Sequence, residues 1–409
     1  MPFYQKRGKI PDKKHTQFRD DDGNLYWEEL ISRGGFSHMY STIYHTHPPT
    51  SITKLLSKRK IYELIDRDKT HMPYRLDTTR LISDSQKSKN VVDNRYPLFF
   101  NEDIVISYCL NLKNANSPYK NALADELLYI QEGSGMFISN FGSLEFKEGD
   151  YLVIPRGIIW KIKPETALNV LIIESNSPIE TPERYRNKFG QLLEHSPFSE
   201  RDIVTPQFPG QRLREADHER RFGRENVIDV KYDTIMQKYQ YQHNLSDVIG
   251  WDGYYYPWKF NIKDFMPITG KIHQPPPVHQ TFQSKGFVVC SFVPRLFDYH
   301  KEAIPAPYAH SNVDSEEIIF YSKGDFMSRK NIGEGDITYH PMGLTHGPQP
   351  GKIEESLGVK ETDEYAVMID TFKPLKMTTG TNRLEDGKYP FSWNTEKENQ
   401  EPKDYDNSF

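Results

Sequence analysis

The sequence predicts an all-β protein in which two similar small β-barrels are joined by a helix-prone connector. Short apolar runs with strand character lie between about 97 and 175 and return between 251 and 375. Glycines and prolines interrupt both regions at a spacing typical of antiparallel sandwiches and barrels. Residues 181 to about 229 are instead polar and helix-prone, with Thr181 and Pro182 placed as an N-cap and first helical residue.

This alternation of strand-like and polar stretches divides the chain into five segments. They are an irregular N-terminal segment that packs on the β units (1–95), the first β unit (96–180), the connector (181–250), the second β unit (251–375) and a polar C-terminal tail (376–409). The 409 residues exceed the size at which one hydrophobic core keeps growing, so two packed units are expected. Within the tail, the YPFSW run at 389–393 indicates that one part docks on the protein.

The composition favours a small-molecule partner. A net charge of -5 offers no basic footprint for nucleic acid, and a mean hydropathy of -0.73 gives no indication of a membrane span. Only two cysteines occur, Cys109 and Cys290, which are too few for a disulfide framework, and the N-terminus lacks an apolar segment. We therefore expect a protein of the reducing cytoplasm.

An internal repeat relates the two β units. Glu126 is followed after six residues by Gly133, and Glu317 is followed in the same way by Gly324. A second pattern, glycine, five residues, proline, one residue and glycine, occupies 149–157 and again 335–343. These two patterns are the signature of the cupin small barrel, so the chain resembles a double cupin.

The second unit carries a candidate set of metal ligands. Counting back from Glu317, His310 and Asn312 occupy the positions of the two leading histidines of a cupin, and His346 closes the pattern. Two imidazoles and one carboxylate form the facial triad of Fe(II) oxygenases, which leaves positions for O2 and a chelating substrate. Neighbouring strand residues point to opposite faces, so the six-residue spacing to the glycine selects Glu317 over Glu316.

The first unit keeps the scaffold but loses the ligands. Tyr119, Asn121 and Trp160 stand at the histidine positions, so only Glu126 remains of the set. We therefore expect one metal ion per chain. The histidine pair at 45–47 is interpreted as part of a loop, because it abuts two prolines and has no carboxylate at a fitting distance.

Longer motifs resemble those of the homogentisate 1,2-dioxygenase family over most of the chain. They are YHTHPPT (44–50), DELLYIQEGSG (125–135), EGDYLVIPRG (148–157), GWDGYYYPWKFNIKDFMPI (250–268), IHQPPPVHQTF (272–282), PYAHSNVDSEE (307–317) and HP..L.HGP (340–348). The resemblance implies Fe(II)-dependent cleavage of 2,5-dihydroxyphenylacetate by O2 to maleylacetoacetate, in tyrosine and phenylalanine catabolism. It also implies a homo-oligomer built from trimers.

The resemblance further implies roles for individual residues. His273 matches the family's active-site histidine and is the candidate general base, with His279 as its rival and a candidate substrate contact. His340 is expected either to contact substrate or to orient a ligand. Arg329 matches a basic residue of the family and is either a bidentate anchor for the substrate carboxylate or an exposed strand-end charge. Phe326 replaces a family tyrosine, which leaves the exact substrate open.

Two alternatives share much of this pattern. A double cupin acting on a gentisate-like or hydroxyanthranilate-like ring would have the same triad and base but another pocket. A non-enzymatic double cupin would be expected to lose the ligand set in both halves, and the set at His310, Glu317 and His346 argues against it.

Overall fold

Strands make up most of the regular structure. The computed structural model describes residues 3–81, 91–208 and 226–395. In chain order the strands are β1 (Gln5–Gly8), β2 (Trp27–Ser32), β3 (Tyr40–His45), β4 (Ile52–Lys60), β5 (Tyr74–Asp77), β6 (Tyr96–Phe100), β7 (Ile104–Leu112), β8 (Ala115–Asn121), β9 (Asp125–Glu132), β10 (Gly135–Ser139), β11 (Gly142–Phe146), β12 (Asp150–Ile154), β13 (Trp160–Pro164), β14 (Leu168–Ser175), β15 (Val227–Tyr232), β16 (Ile235–Tyr241), β17 (Val248–Gly253), β18 (Trp258–Asn261), β19 (Gln280–Gln283), β20 (Phe287–Phe292), β21 (Arg295–Leu296), β22 (Glu316–Gly324), β23 (Asp336–His340), β24 (Glu361–Thr362), β25 (Glu364–Thr371) and β26 (Lys376–Met377).

Helical structure is short. The α-helix α1 spans Lys352–Ser356. Single turns of 3₁₀-helix lie at Gly34–Phe36, Thr78–Arg80, Val92–Asn94, Glu183–Tyr185, Glu200–Asp202, Ile262–Asp264, Pro276–His279, Thr379–Arg383 and Tyr389–Phe391. None of the helices in the described ranges has the length and apolar character that crossing a bilayer requires.

The first barrel is formed by two seven-stranded sheets. Their strand orders are β11-β10-β13-β8-β15-β16-β4 and β18-β12-β9-β14-β7-β6-β26. Apolar side chains from both sheets form one buried core, in which Phe137 and Trp160 stack at 5.5 Å. Tyr119 of one sheet donates a hydrogen bond to Glu126 of the other, at 3.0 Å. The barrel interior is therefore filled by side chains.

The second barrel is based on a six-stranded sheet with the order β19-β20-β25-β22-β23-β5. It is completed by the small β21-β24 sheet and by an antiparallel bridge between His310 and His346. The strand pairing repeats that of the first barrel, because β9 pairs with β12 and β14 as β22 pairs with β23 and β25. The all-β double barrel predicted from the sequence is confirmed.

Two glycines explain why the repeat is so regular. Gly133 and Gly324 end equivalent strands with φ of 97° and 104°, in the left-handed region that other residues rarely adopt. A Cβ atom would approach the carbonyl oxygen of Ala167 to 2.4 Å in the first barrel and that of Asp363 to 2.3 Å in the second. The spacing from each glutamate to its glycine is thus fixed by the backbone.

The connector differs from the predicted helix in its described parts. Residues 181–208 contain only two 3₁₀ turns, and Pro182 rather than Thr181 is the N-cap of the first. From 227 onward the chain forms a β-hairpin, because apolar and polar residues alternate in VIDVKY and IMQKYQY around a turn with Asp233 at φ 57°. Of the helix-prone run at 214–226, all but Asn226 lies outside the described residues.

Strands from both ends of the chain tie the two halves together. β4 extends a sheet of the first barrel beside β16, and β5 forms the edge of the second barrel beside β23. β17 and β18 pair with strands of the first half, β3 and β12, and β26 pairs with β6. The predicted segments 1–95, 251–375 and 376–409 therefore each contribute strands to sheets that they share with other segments.

Candidate metal centre

His310, Glu317 and His346 converge inside the second barrel. One ligand atom from each lies within 4.8 Å of the other two. Glu317 Oε2 is 3.7 Å from His310 Nε2, and Glu317 Oε1 is 3.6 Å from His346 Nε2. The backbone N–H groups of the two histidines donate to each other's carbonyl oxygens, at 2.8 and 2.9 Å. This bridge fixes the separation of the two imidazoles.

Both imidazoles are oriented for metal binding. Nδ1 of His310 donates to the carbonyl oxygen of Tyr308 at 3.2 Å, and Nδ1 of His346 donates to that of Leu344 at 3.0 Å. Each Nε2 is thereby left with its lone pair directed away from the backbone partner. Nε2 of His346 is buried and has no hydrogen-bond partner. A buried acceptor without a partner costs free energy, and a metal ion would satisfy it.

The equivalent position in the first barrel is filled by ion pairs. Arg95 lies 2.8 Å from Glu126 and 2.7 Å from Glu174, and the ammonium group of Lys231 also contacts Glu174. Two carboxylates and two cations balance in charge. The first barrel has accordingly exchanged its metal ligands for a buried salt-bridge network centred on Glu126.

The second barrel retains two carboxylates without the matching cations. Asp370 lies opposite Glu317, where the first barrel has Glu174 opposite Glu126. One carboxylate oxygen of Asp370 is buried without a partner, and burial together with the charge of Glu317 raises the pKa of Asp370 to about 8. Among the described residues, neither carboxylate forms an ion pair with a lysine or arginine. A divalent cation would balance the charge of Glu317 and favour ionisation of Asp370, so the residues present fit a metal ion.

His340 lies behind Glu317. Its Nδ1 donates to Glu317 Oε1 at 2.9 Å, and its Nε2 accepts from the hydroxyl of Tyr389 at 3.1 Å. Its ring stacks on His346 with the centroids 4.5 Å apart, and it is fully buried. Burial lowers the pKa of His340 to about 4, which favours this neutral form. Of the two roles expected for His340, this geometry supports orientation of a ligand.

A cavity of about 250 Å³ opens on the candidate ligands. Its walls include His310, Glu317 and Asp370, and also the predicted substrate contacts His279 and Arg329. Small-molecule sites usually enclose ~300–1,000 Å³, so this cavity suits a compact ligand.

His273 lies on the wall of the same cavity and is held by a carboxylate. Its Nδ1 is 2.9 Å from Asp298 Oδ2, and its side chain is 56% exposed. The ring packs edge to face against Tyr308, which in turn lies against His310 with centroids 6.3 Å apart. Because Nδ1 donates to Asp298, Nε2 is left free to accept a proton.

His279 has a very different environment. It is buried against Phe292, with ring centroids 4.8 Å apart, and its Nδ1 has no hydrogen-bond partner. Burial, assisted by the charge of Arg295, lowers the pKa of His279 to about 3. His279 is therefore a neutral cavity residue across the physiological pH range.

The interpretation of Arg329 as an exposed charge is wrong, because the residue is 6% exposed. Its guanidinium donates to the carbonyl oxygens of Gly347 at 2.7 Å and Ser328 at 3.2 Å, and it lies over the ring of Trp393 at 5.6 Å. The YPFSW run thus docks beside the candidate metal centre, and Trp393 also donates to Gly347 at 3.0 Å.

Comparisons with known proteins show the family to which the chain belongs. Residues 101–262 match the family model described as homogentisate 1,2-dioxygenase N-terminal. A protein of Saccharolobus solfataricus named "Putative dioxygenase" is 42% identical over 400 residues, which cover 97% of this chain and 100% of that protein. The chain belongs to the homogentisate dioxygenase family.

More distant members of the family are the homogentisate 1,2-dioxygenases of Bradyrhizobium diazoefficiens and Nitrobacter hamburgensis. They are 24% and 25% identical over 287 residues, which cover 66% of this chain and 61% of each relative. The alignment therefore spans less than two thirds of their length. A cupin 2 conserved barrel domain protein from Leptotrichia buccalis covers 75% of this chain and 99% of its own, with a TM-score of 0.35 and 11% identity.

The chain departs from the family motif at Phe326. Phe326, which replaces a family tyrosine, is buried and packs edge to face on Tyr321 at 4.8 Å. The hydroxyl of Tyr321 lies 3.2 Å from that of Thr338. A different phenol, that of Tyr308, lines the cavity between His273 and His310.

Several site residues were not found from the sequence. Asp298 carried no signal, since it becomes significant only through its contact with His273. Tyr308 lay within the quoted 307–317 motif, but nothing in the sequence indicated its contacts with His273 and His310. Tyr389 was seen only as part of an aromatic run. Asp370 had a usable signal, because IIES in the first unit and MIDT in the second place Glu174 and Asp370 at the same point of the repeat.

Proposed function

We propose that the protein is an Fe(II)-dependent ring-cleaving dioxygenase that converts homogentisate (2,5-dihydroxyphenylacetate) and O2 to maleylacetoacetate, in tyrosine and phenylalanine breakdown. The observation that carries the proposal is the convergence of His310, Glu317 and His346 to within 4.8 Å of one another, beside a small cavity whose wall includes His310 and Glu317. These side chains would hold Fe(II) through two Nε2 atoms and one carboxylate. When bound, Fe(II) supplies the site for O2 and the redox chemistry of ring cleavage.

The chain's own groups would bind and orient the ring. Arg329 lies on the cavity wall close to the ligands, where its guanidinium suits a carboxylate partner. Its contacts to two backbone carbonyl oxygens hold it in place. A two-carbon acid side chain on the ring would reach toward this guanidinium while the ring hydroxyl faces the metal ligands.

His273 would remove the proton from a ring hydroxyl. Its Nε2 is free to accept, and Asp298 would stabilise the imidazolium that forms. The cavity wall also includes Ile319, Met368 and Phe292, whose apolar surfaces limit the access of water to the ring.

We propose a cytoplasmic homo-oligomer built from trimers, with no nucleic-acid or membrane partner. Both described cysteines are free and buried, which agrees with a reducing compartment. Large apolar side chains are exposed on β2 and β4, among them Trp27, Leu30 and Leu55, and subunit contacts would cover them. Sedimentation equilibrium tests the assembly, since a monomer would contradict it.

A second candidate function keeps the reaction and changes the ring. Phe326, which replaces a family tyrosine, packs behind the cavity residue Tyr321, and Asp370 adds a second carboxyl group beside Glu317. Both features support a gentisate-like or hydroxyanthranilate-like substrate as the alternative. A non-enzymatic role is the weaker alternative, because the ligand set is intact in the second barrel.

Oxygen uptake by the anaerobically Fe(II)-loaded protein tests these candidates. The substrates are 2,5-dihydroxyphenylacetate, gentisate and 3-hydroxyanthranilate, and absorbance follows the ring-opened enedione. The proposal predicts one O2 consumed for each molecule of 2,5-dihydroxyphenylacetate, with the highest kcat/KM of the three. Turnover of another ring alone would overturn the substrate, and no uptake with any ring would overturn the dioxygenase assignment.

A further inference from the structure

The floor of the cavity consists of four rows of side chains. The first three follow from the pairing of β22, β25 and β20, the fourth is an ion pair between β25 and β21, and every member lines the cavity. In order they are the metal row (Glu317 and Asp370), an aliphatic row (Ile319 and Met368), an aromatic row (Tyr321, Ala366 and Phe292) and an ionic row (Glu364 with Arg295). The cavity thus has two charged ends separated by two apolar rows.

The two charged ends are far apart for a single small ring. Glu364 and Asp370 are six residues apart on β25, and alternate residues between them face the cavity. At ~3.3 Å per residue an extended strand covers roughly 20 Å over this distance. Homogentisate, a ring with a two-carbon acid, is shorter than this. Its carboxylate would remain near Arg329 and leave the ionic row unused.

The ionic row has unsatisfied binding capacity. Arg295 Nη1 is 3.8 Å from Glu364 Oε1 and donates to the carbonyl oxygen of Val293 at 3.4 Å, and both contacts are long. The Arg295 side chain is only 19% exposed, and burial lowers its pKa while raising that of Glu364. A guanidinium has five N–H donors, so a carboxylate could still bind it in bidentate fashion.

We propose that Arg295 forms a second, anion-binding subsite, through which the site also accepts a hydroxylated ring carrying a longer alkyl chain that ends in a carboxylate. The ring of such a substrate lies at the metal row, its chain crosses the aliphatic and aromatic rows, and its carboxylate binds Arg295 beside Glu364. This inference rests on the proposed function for the reaction at the ring, and it extends the substrate class from the arylacetate to longer arylalkanoates.

Binding of unreactive ligands to the Fe(II)-loaded protein under anaerobic conditions tests the subsite without turnover. Calorimetry compares phenylacetate, 6-phenylhexanoate, 10-phenyldecanoate and the neutral 10-phenyldecan-1-ol. Affinity is expected to rise with chain length among the acids, and 10-phenyldecanoate is expected to bind at least ~10-fold more tightly than the alcohol, because a charged hydrogen bond is made at Arg295.

Variants assign the effect to this residue. Arg295→Gln is expected to weaken 10-phenyldecanoate binding ~10-fold or more without changing phenylacetate binding, and Arg295→Lys is expected to recover part of the loss. Arg201→Gln, a change in a side chain that is 86% exposed, is the matched control and is expected to have no effect.

Three results would overturn the subsite. They are equal affinity for the long acid and its alcohol, no dependence on chain length, and an equal loss for short and long acids in Arg295→Gln. The first two use unaltered protein, so they decide the question even if the variant does not fold. Because no step here measures turnover, failure of the subsite is distinguishable from failure of the proposed function, which oxygen uptake reports.

Discussion

Glu317 and Asp370 lie opposite each other on β22 and β25, in the same relation that Glu126 and Glu174 have in the first barrel. Among the described residues, Glu317 and Asp370 have no lysine or arginine partner, whereas Glu126 and Glu174 are neutralised by Arg95 and Lys231. Equivalent positions in the two barrels are therefore occupied in two ways. A metal ion is expected to serve in the second barrel where side-chain cations serve in the first.

The charge of Asp370 should favour the metal-bound state. In Asp370→Asn, we expect Fe(II) affinity to fall roughly 10- to 100-fold, as is common when a group just outside the ligand set is changed. Above pH 8, where Asp370 is ionised, the metal-free variant should melt at a higher temperature than the metal-free parent, because two buried carboxylates no longer repel.

Thermal melts with and without Fe(II), together with an anaerobic metal titration, check both effects. Asp363→Asn, on the exposed stretch before β25, is the matched control. A variant with unchanged Fe(II) affinity and lower metal-free stability would show that Asp370 has only a packing role.

The direction of side chains on β22 gives a second prediction. Glu317→Gln should abolish iron retention, because the amide keeps the shape of the side chain but loses the ligand charge. Glu316→Gln should keep its iron, since Glu316 points to the other face and accepts a hydrogen bond from the backbone N–H of Leu375. Iron analysis of the two purified variants checks this prediction. Iron lost from Glu316→Gln but retained in Glu317→Gln would mean that the ligand strand is shifted by one residue.

Much of this site could be predicted from the sequence because the repeat is local. Turn glycines and the residues counted from them are fixed by backbone geometry, which is why Glu317 could be distinguished from Glu316. Pairing between strands that are far apart in the chain leaves no such pattern in the sequence. The strands contributed by the N-terminal segment to both barrels, and the contact of Tyr389 with His340, depend on packing between residues that are far apart in the chain.

The hairpin at 227–241 was missed for a related reason. The segment was assigned to the connector, and the helix-prone run was extended to about residue 229, although the alternation in 227–241 has the period of a strand. The partner strands β8 and β4 that stabilise it lie more than 100 residues earlier in the chain.

His273 is predicted to act in catalysis without binding metal. His273→Phe should retain one iron and bind the aromatic substrate, while kcat falls by ~10²–10⁴-fold, the usual contribution of a general base. Asp298→Asn should lower kcat less, because it removes only the partner of Nδ1.

His279→Phe and His310→Phe, reconstituted identically, are the comparison variants for iron content and turnover. His310→Phe should lose iron and activity together. Full activity in His273→Phe with a selective loss of turnover in His279→Phe would move the base to His279.

The buried network of the first barrel predicts a pH dependence of stability. Although burial opposes the shift, ion pairs with Lys231 and Arg95 lower the pKa of Glu174 from 4.5 to about 2. A carboxylate with a lowered folded-state pKa stabilises the fold fully above its unfolded pKa. This stabilisation is then lost as the pH falls from 4.5 toward about 2.

Urea unfolding at several pH values in this window measures the effect. Glu174→Gln should be less stable than the parent at neutral pH and should lose less stability on acidification. Parallel stability curves for parent and variant would show that Glu174 does not contribute to the acid transition.

The iron content of the reconstituted protein tests the central claim most directly. Fe(II) is added anaerobically to the metal-free parent, to His346→Ala and to Glu126→Gln, and bound iron is measured per chain after desalting. We predict one iron in the parent, none in His346→Ala and one in Glu126→Gln, whose stability should nevertheless fall by about 3–5 kcal/mol because Arg95 is left without one of its carboxylates. Two irons in the parent, or iron lost from Glu126→Gln but retained in His346→Ala, would contradict the assignment of a single metal centre to the second barrel.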